Sequence, residues 1–223
     1  MTTFDLNDGV RGLNAHLHGE VTTDLTAVNP AGRHAVAVGA TAAHALSIDG
    51  NVGYYCGGMN QHANIEVRGN AGPGLAENIM SGRVRVHGDA SQYCAATGHG
   101  GLVVVDGNAS SRCGISMKGV NIVVRGNVGH MSAFMAQKGC LVVCGDAGDA
   151  LGDSLYEARL YIRGSVASLG ADCVPKPMAA EHLDELGALL REAGVTDADP
   201  SAFTRYGSAR KLYHFDIDNA SDY

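Results

Sequence analysis

One tetrapeptide recurs through the middle of this chain at a constant spacing. Gly50-Asn51-Val52-Gly53 returns at Gly69, Gly88, Gly107, Gly126 and Gly145, and a degraded copy stands at Gly164-Ser165-Val166-Ala167, every start 19 residues after the last. A fixed period without insertions means one structural unit per repeat, stacked on the next. Apolar residues hold the same register. Two positions before each corner Gly stand Val67, Val86, Val105, Val124, Val143 and Ile162; four positions before it stand Ile65, Val84, Val103, Ile122, Leu141 and Leu160. Residues two apart on a strand share a face, so each repeat contributes a short strand with its β-branched side inward.

The corners read chemically. Glycine suits a backbone with positive φ, and Asn or Asp tolerates such corners next best. Asn51, Asn70, Asn108 and Asn127, with Asp89 and Asp146, would then form a polar ladder with one rung per coil. A second small-residue column lies seven after the corner, at Gly57, Ala76, Ala95, Gly114, Ala133 and Gly152, and marks another tight bend. Parallel strands stack about 4.8 Å apart, so six turns span roughly 29 Å. The expected fold is all-β: a single-stranded parallel β-helix with 19-residue coils, right-handed by the general crossover preference. A left-handed hexapeptide helix would need an apolar anchor every six residues, and 19 is not a multiple of six.

The ends are less regular. Leu46 and Ile48 share the phase of the inner columns, so an incomplete coil precedes Gly50 and the helix is expected over 45–174. Residues 1–44, without clear periodicity, read as an N-terminal arm and cap. Pro175 and Pro177 are expected to stop the strands. Over 175–223, Leu183, Leu186, Leu189 and Leu190 lie at helical spacing with Gly194 as a stop signal. A tail then carries Phe203, Tyr206, Leu212, Tyr213 and Phe215, too many aromatics for free solvent, and should dock on the solenoid end or a partner.

Composition narrows the function. A net charge of −7 argues against nucleic acid or an anionic membrane as partner. No stretch approaches the roughly 18 apolar residues of a membrane span, and the first ten residues lack signal-peptide character, so a cytoplasmic location with six reduced cysteines is expected. Cys56, Cys94 and Cys113 share one column with Leu75, Ser132 and Leu151, which reads as a buried wall of small hydrophobes rather than a disulfide series. Cys140 and Cys144 lack a second pair for zinc or iron–sulfur. His16-x-His18 reads as a surface pair. Gly69-x-x-Gly72-x-Gly74 and Gly98-x-Gly100-Gly101 resemble phosphate-loop fragments, but neither opens a helix, and repetition explains them. Carbohydrate-cleaving β-helices carry long inserted loops with grouped carboxylates; here Asp89 and Asp146 would lie about 14 Å apart. No catalytic, cofactor-binding or metal-binding residue is assigned.

Two stripes remain as candidate interfaces. Eleven after the corner stand Gln61, Met80, His99, Lys118 and Gln137, which could line a channel, meet a partner or simply face solvent. Between the inner columns stand Glu66, Arg85, Val104, Val123, Val142 and Tyr161, the last four an outward apolar stripe. Such a stripe wants either the C-terminal leucine helix or a partner subunit over it.

With its repeated Gly-Asn corners, the run Ile48–Gly170 resembles the C-terminal (GXGXG) β-helix domain of the glutamate synthase large subunit. The segment Phe203-Thr-Arg-Tyr-Gly-Ser-Ala-Arg-Lys-Leu-Tyr-His-Phe215 looks like the one that follows this domain in stand-alone relatives. The nearest resemblance within the family is to the small β-helix subunit of N-methylglutamate synthase (methylamine–glutamate N-methyltransferase) and to GlxC-type proteins. It covers roughly residues 45–220 and departs where Ser91, Ser110 and Ala167 replace the second corner glycine. The resemblance implies a scaffold subunit in a hetero-oligomer. An FMN-binding synthase-domain subunit with an iron–sulfur cluster and an amidotransferase-like subunit would carry the chemistry. Two rivals are the β-helix scaffold chain of a formylmethanofuran dehydrogenase-type complex and a free-standing β-helix binding protein.

Overall fold

The computed structural model describes residues 2–21 and 23–210. Its spine is one sheet in which β1 (Thr2–Asp5), β2 (Leu25–Val28), β3 (Ala45–Asp49), β4 (Asn64–Val67), β5 (Arg83–Val86), β6 (Leu102–Val105), β7 (Asn121–Val124), β8 (Cys140–Val143) and β9 (Arg159–Ile162) pair in parallel in chain order. The parallel β-solenoid expected from the repeat is therefore present. From β3 to β9 each residue pairs with the one 19 positions on, as Ile65 with Val84 and Val124 with Val143. Both inner columns are buried throughout and form one continuous core.

The solenoid starts earlier than its period does. The arm expected over 1–44 contains two further rungs, with Thr2 opposite Leu25 and Leu25 opposite Leu46. Those longer steps, one of them containing α1 (Arg11–Leu17), break the 19-residue spacing and hide the rungs from a repeat search. Leu6, Leu13, Leu17 and Leu25 nevertheless enter the same core. At the other end, β11 (Thr204–Ser208) joins β9 in antiparallel fashion and β10 (Cys173–Lys176) joins β11. Pro175, expected to stop the strands, instead lies within β10. That strand is outermost, where a residue without an N–H is tolerated. The tail docks at Phe203 and Tyr206; Leu212, Tyr213 and Phe215 lie outside the described residues.

The corner glycines serve a different need from the one expected. Of Gly50, Gly69, Gly88, Gly107, Gly126, Gly145 and Gly164, only Gly50 has a positive φ, at 138°. The others are glycine because the coils approach too closely for a side chain. A Cβ on Gly88 would lie 2.1 Å from Asn70 Oδ1, and one on Gly145 would lie 2.2 Å from Asn127 Oδ1. Those oxygens are the polar ladder. Each accepts from the backbone N–H of the same position one coil on: Asn51 from Asn70 at 2.8 Å, Asp89 from Asn108 at 2.7 Å, Asn108 from Asn127 at 2.9 Å and Asp146 from Ser165 at 2.7 Å. Asn108→Ala should remove one exposed rung and lower stability by about 1 kcal/mol, read as a shift in denaturation midpoint at constant slope.

Positive φ belongs to the second column instead. Gly57, Ala76, Ala95, Gly114, Ala133 and Gly152 have φ between 54° and 69°. Residues two before and two after them repeat the left-handed conformation, as at Tyr93, Ala95 and Thr97. Alternating the backbone in this way points successive N–H groups to opposite neighbours. Ala95 donates back to Leu75 O at 2.7 Å and Thr97 donates forward to Ile115 O at 2.9 Å. The wall is thus bonded coil to coil without being a strand, and these hydrogen bonds offset the steric cost of left-handed residues.

Candidate functional site

The outward stripe is closed by the chain itself. Helix α2 (Ala180–Glu192) lies over the sheet, and Val104, Val123, Val142 and Tyr161 are each buried to 0 % exposure in a cluster with Leu186, Leu189, Leu190, Ala193, Val195 and Phe203. Of the two covers the sequence allowed, the leucine helix is the one present, so these four residues are not a surface for a partner. Both ends of α2 are pinned. Glu185 accepts from Arg159 Nη2 and from Tyr161 Oη, each at 2.6 Å. At the C-terminal end, Gly194 adopts φ 73°, and Gly194 N and Val195 N donate to Arg191 O and Leu190 O, a Schellman closure. Arg85, held to Asp106 at 2.8 and 2.9 Å, donates to Ala193 O at 3.4 Å, a cation where the helix dipole favours one. Burial together with the adjacent Glu185 carboxylate drives the Tyr161 hydroxyl pKa upward.

The second stripe is at the surface. Gln61, Met80, His99 and Lys118 are exposed and Gln137 is half-buried. Each backbone N–H in this column donates to the preceding coil, as His99 N to Ile79 O, so the five side chains stand in one line. Beside that line lies a feature that the column pattern of the sequence does not reveal. Met59, Tyr93 and Met135 on the left-handed wall, with Tyr54 next to it, expose between 37 % and 50 % of their surfaces, and Met80 of the line itself exposes 48 %. Down their columns they are interrupted by polar or charged residues, as in Met59, Asn78, Thr97, Ser116, Met135, Ser154 and in Tyr55, Gly74, Tyr93, Arg112, Met131, so no column is uniformly apolar. The available signal is the clustering of Tyr and Met between corner and strand.

The remaining candidates separate cleanly. Cys56, Cys94 and Cys113 are buried free thiols, with Leu75 and Ser132 buried in the same wall. Burial lifts the Cys56 thiol to about 12, and a hydrogen bond with Cys94 together with burial raises that of Cys113. The native protein should therefore leave these thiols unreactive toward a disulfide reagent at about pH 8, with reaction following only on unfolding. A raised thiol pKa favours the folded state at neutral pH, and that contribution fades as pH climbs above the ordinary thiol value of 9.0 toward 12. His16 and His18 do not converge: His16 packs 5.3 Å from the Phe4 ring, whereas His18 Nε2 meets Val38 O at 3.0 Å. Among the described residues, no three His, Cys, Asp or Glu side chains gather where a metal ion could sit. No helix among them is long and apolar enough to cross a membrane.

No protein-family model matches the chain. No solved structure matches it either. It is 58 % identical over 223 residues to Protein GlxC of Rhizobium meliloti (strain 1021), a comparison that spans all of this chain and 98 % of that protein. With identity of that order over the full length, the chain belongs to the GlxC family.

Proposed function

We propose that this chain is a non-catalytic scaffold subunit of a glutamate-synthase-like enzyme, N-methylglutamate synthase, which converts methylamine and glutamate to N-methylglutamate and ammonia. In this reading the FMN and the iron–sulfur cluster belong to a synthase-domain subunit. An amidotransferase-like subunit completes the complex, and this chain offers both a rigid docking wall. The observation that carries the proposal is the left-handed wall. Its exposed Met59, Tyr93 and Met135, with Tyr54 and Met80 beside it, stand on a coil-to-coil hydrogen-bonded support, while the apolar face of the sheet is already covered by α2. Exposed aromatic and Met side chains on a preorganised surface are what an obligate interface uses. The repeated Gly-Asn corners and the GlxC relationship support the same assignment.

The test is a double substitution, Tyr93→Asp with Met135→Asp. Aspartate tolerates the left-handed backbone of both positions, so folding should be preserved. The variant expressed in place of the native chain should melt normally yet no longer co-elute with the flavoprotein. Co-elution at the native level would remove this wall as the docking surface and, with it, the main support for the scaffold role.

A further inference from the structure

The outer row of the sheet changes character where α2 begins. Val104, Val123, Val142 and Tyr161 pair one after another, and beyond Tyr161 the same row continues as Arg205 on β11 and Lys176 on β10. The two cations are direct cross-strand partners, so their side chains leave the sheet on the face that α2 covers further along. Gly207, two residues after Arg205, faces the same way without a side chain. The Lys176 stem runs over it, its Cγ 3.3 Å from where a Cβ would stand. Together with the first turn of α2 these residues border an open cleft of about 440 Å³ lined by Arg159, Lys176, His182, Arg205 and their neighbours.

The donors of this cleft are committed unevenly. Arg159 is neutralised by Glu185 at 2.6 Å, and Arg210 by Asp172. Arg205 uses Nε to donate to Pro177 O at 2.9 Å, which fixes the plane of its guanidinium. Among the described residues neither Arg205 nor Lys176 has a carboxylate in ion-pair range. His182 Nδ1 accepts from Ala179 N at 3.1 Å, which puts the ring proton on Nε2, with the exposed Glu181 the nearest acid at 3.9 Å. Glu157, the carboxylate of the lining, is itself engaged.

We infer that this cleft binds a phosphate-type oxyanion. A fixed arginine fork and a lysine point charge, with the His182 ring N–H beside them, suit a compact dianion that accepts from several directions. The chain as a whole carries −7, so its overall field repels anions, and only a local convergence of donors could hold one. This inference does not depend on the scaffold assignment.

The test is calorimetric titration of the intact chain with inorganic phosphate at constant ionic strength, with chloride as the comparator. Saturable one-site binding is expected, with a Kd on the order of 1 mM. Lys176→Gln and Arg205→Gln should each weaken it about tenfold, while Lys118→Gln, a cation remote from the cleft, should leave it unchanged. Melting curves would confirm that the variants are folded, and Arg205→Lys should recover part of the loss. An absence of saturable heat, equal behaviour of chloride, or equal weakening by Lys118→Gln would overturn the inference. So would binding of an acidic peptide in this cleft where phosphate fails.

Discussion

Gly126→Ala is expected to destabilise the protein by about 3 kcal/mol or more, whereas Gly114→Ala should cost only about 1 kcal/mol. Both glycines belong to strictly repeated columns, and the ordinary argument from backbone freedom would rank them the other way. Gly114 has the left-handed φ of 69°; Gly126 does not have a positive φ at all. A Cβ on Gly126, however, would sit 2.5 Å from Asn108 Oδ1 and 2.7 Å from the carbonyl oxygen of Gly107. One is the ladder acceptor and the other is backbone, so relief requires the coils to separate. At Gly114 the new atom meets Ile122 Cδ1 at 3.0 Å and Met117 Sδ at 3.3 Å, ends of side chains that can turn away. Ala95 and Ala133 already hold the same conformation one coil on either side. Denaturant unfolding of both variants decides the point: equal losses, or a larger loss at Gly114, would show that conformation rather than spacing selects the corner glycine.

Val123→Asp should cost about 3 kcal/mol or more, because it places a carboxylate at a fully buried position beneath α2 with no partner for it. The damage should be local. Val123 belongs to the outer cluster, whereas the inner columns that stack the coils form a separate one. The expected result is release of α2 with the coils still stacked. Protease cleavage would rise between residues 177 and 203, and slow amide exchange would persist in β4–β8. Unchanged proteolysis would mean that the helix does not hold this face closed. Cooperative loss of all protection would mean that the coils depend on α2.

Much of this architecture is legible in the sequence because the coil is its own repeat. The spacing of the corner tetrapeptide and the apolar residues two and four before it identify the strands, their facing and their parallel stacking. The acceptor ladder follows from Asn and Asp recurring in one column. Three features escape for identifiable reasons. The rungs at Thr2–Asp5 and Leu25–Val28 are joined by longer connections, so no period marks them. The role of the corner Gly is set by the coil below, a contact that local propensity does not contain. The exposed Tyr and Met wall and the Lys176–Arg205 cleft each arise from residues scattered in the chain. The first is assembled by stacking, the second by strands that turn back antiparallel after the last coil. The outward Val stripe is visible in the sequence, but only the position of α2 chooses between the two covers it allows.

A scaffold of a flavoenzyme complex, as proposed for this chain, should be recovered together with its partners. The deciding measurement is purification of the chain by a tag from its own cells, with native mass and visible absorbance recorded together. The expected result is a yellow assembly in which this chain of 23.0 kDa accompanies two larger subunits. A colourless chain that runs alone across gentle salt conditions would contradict it.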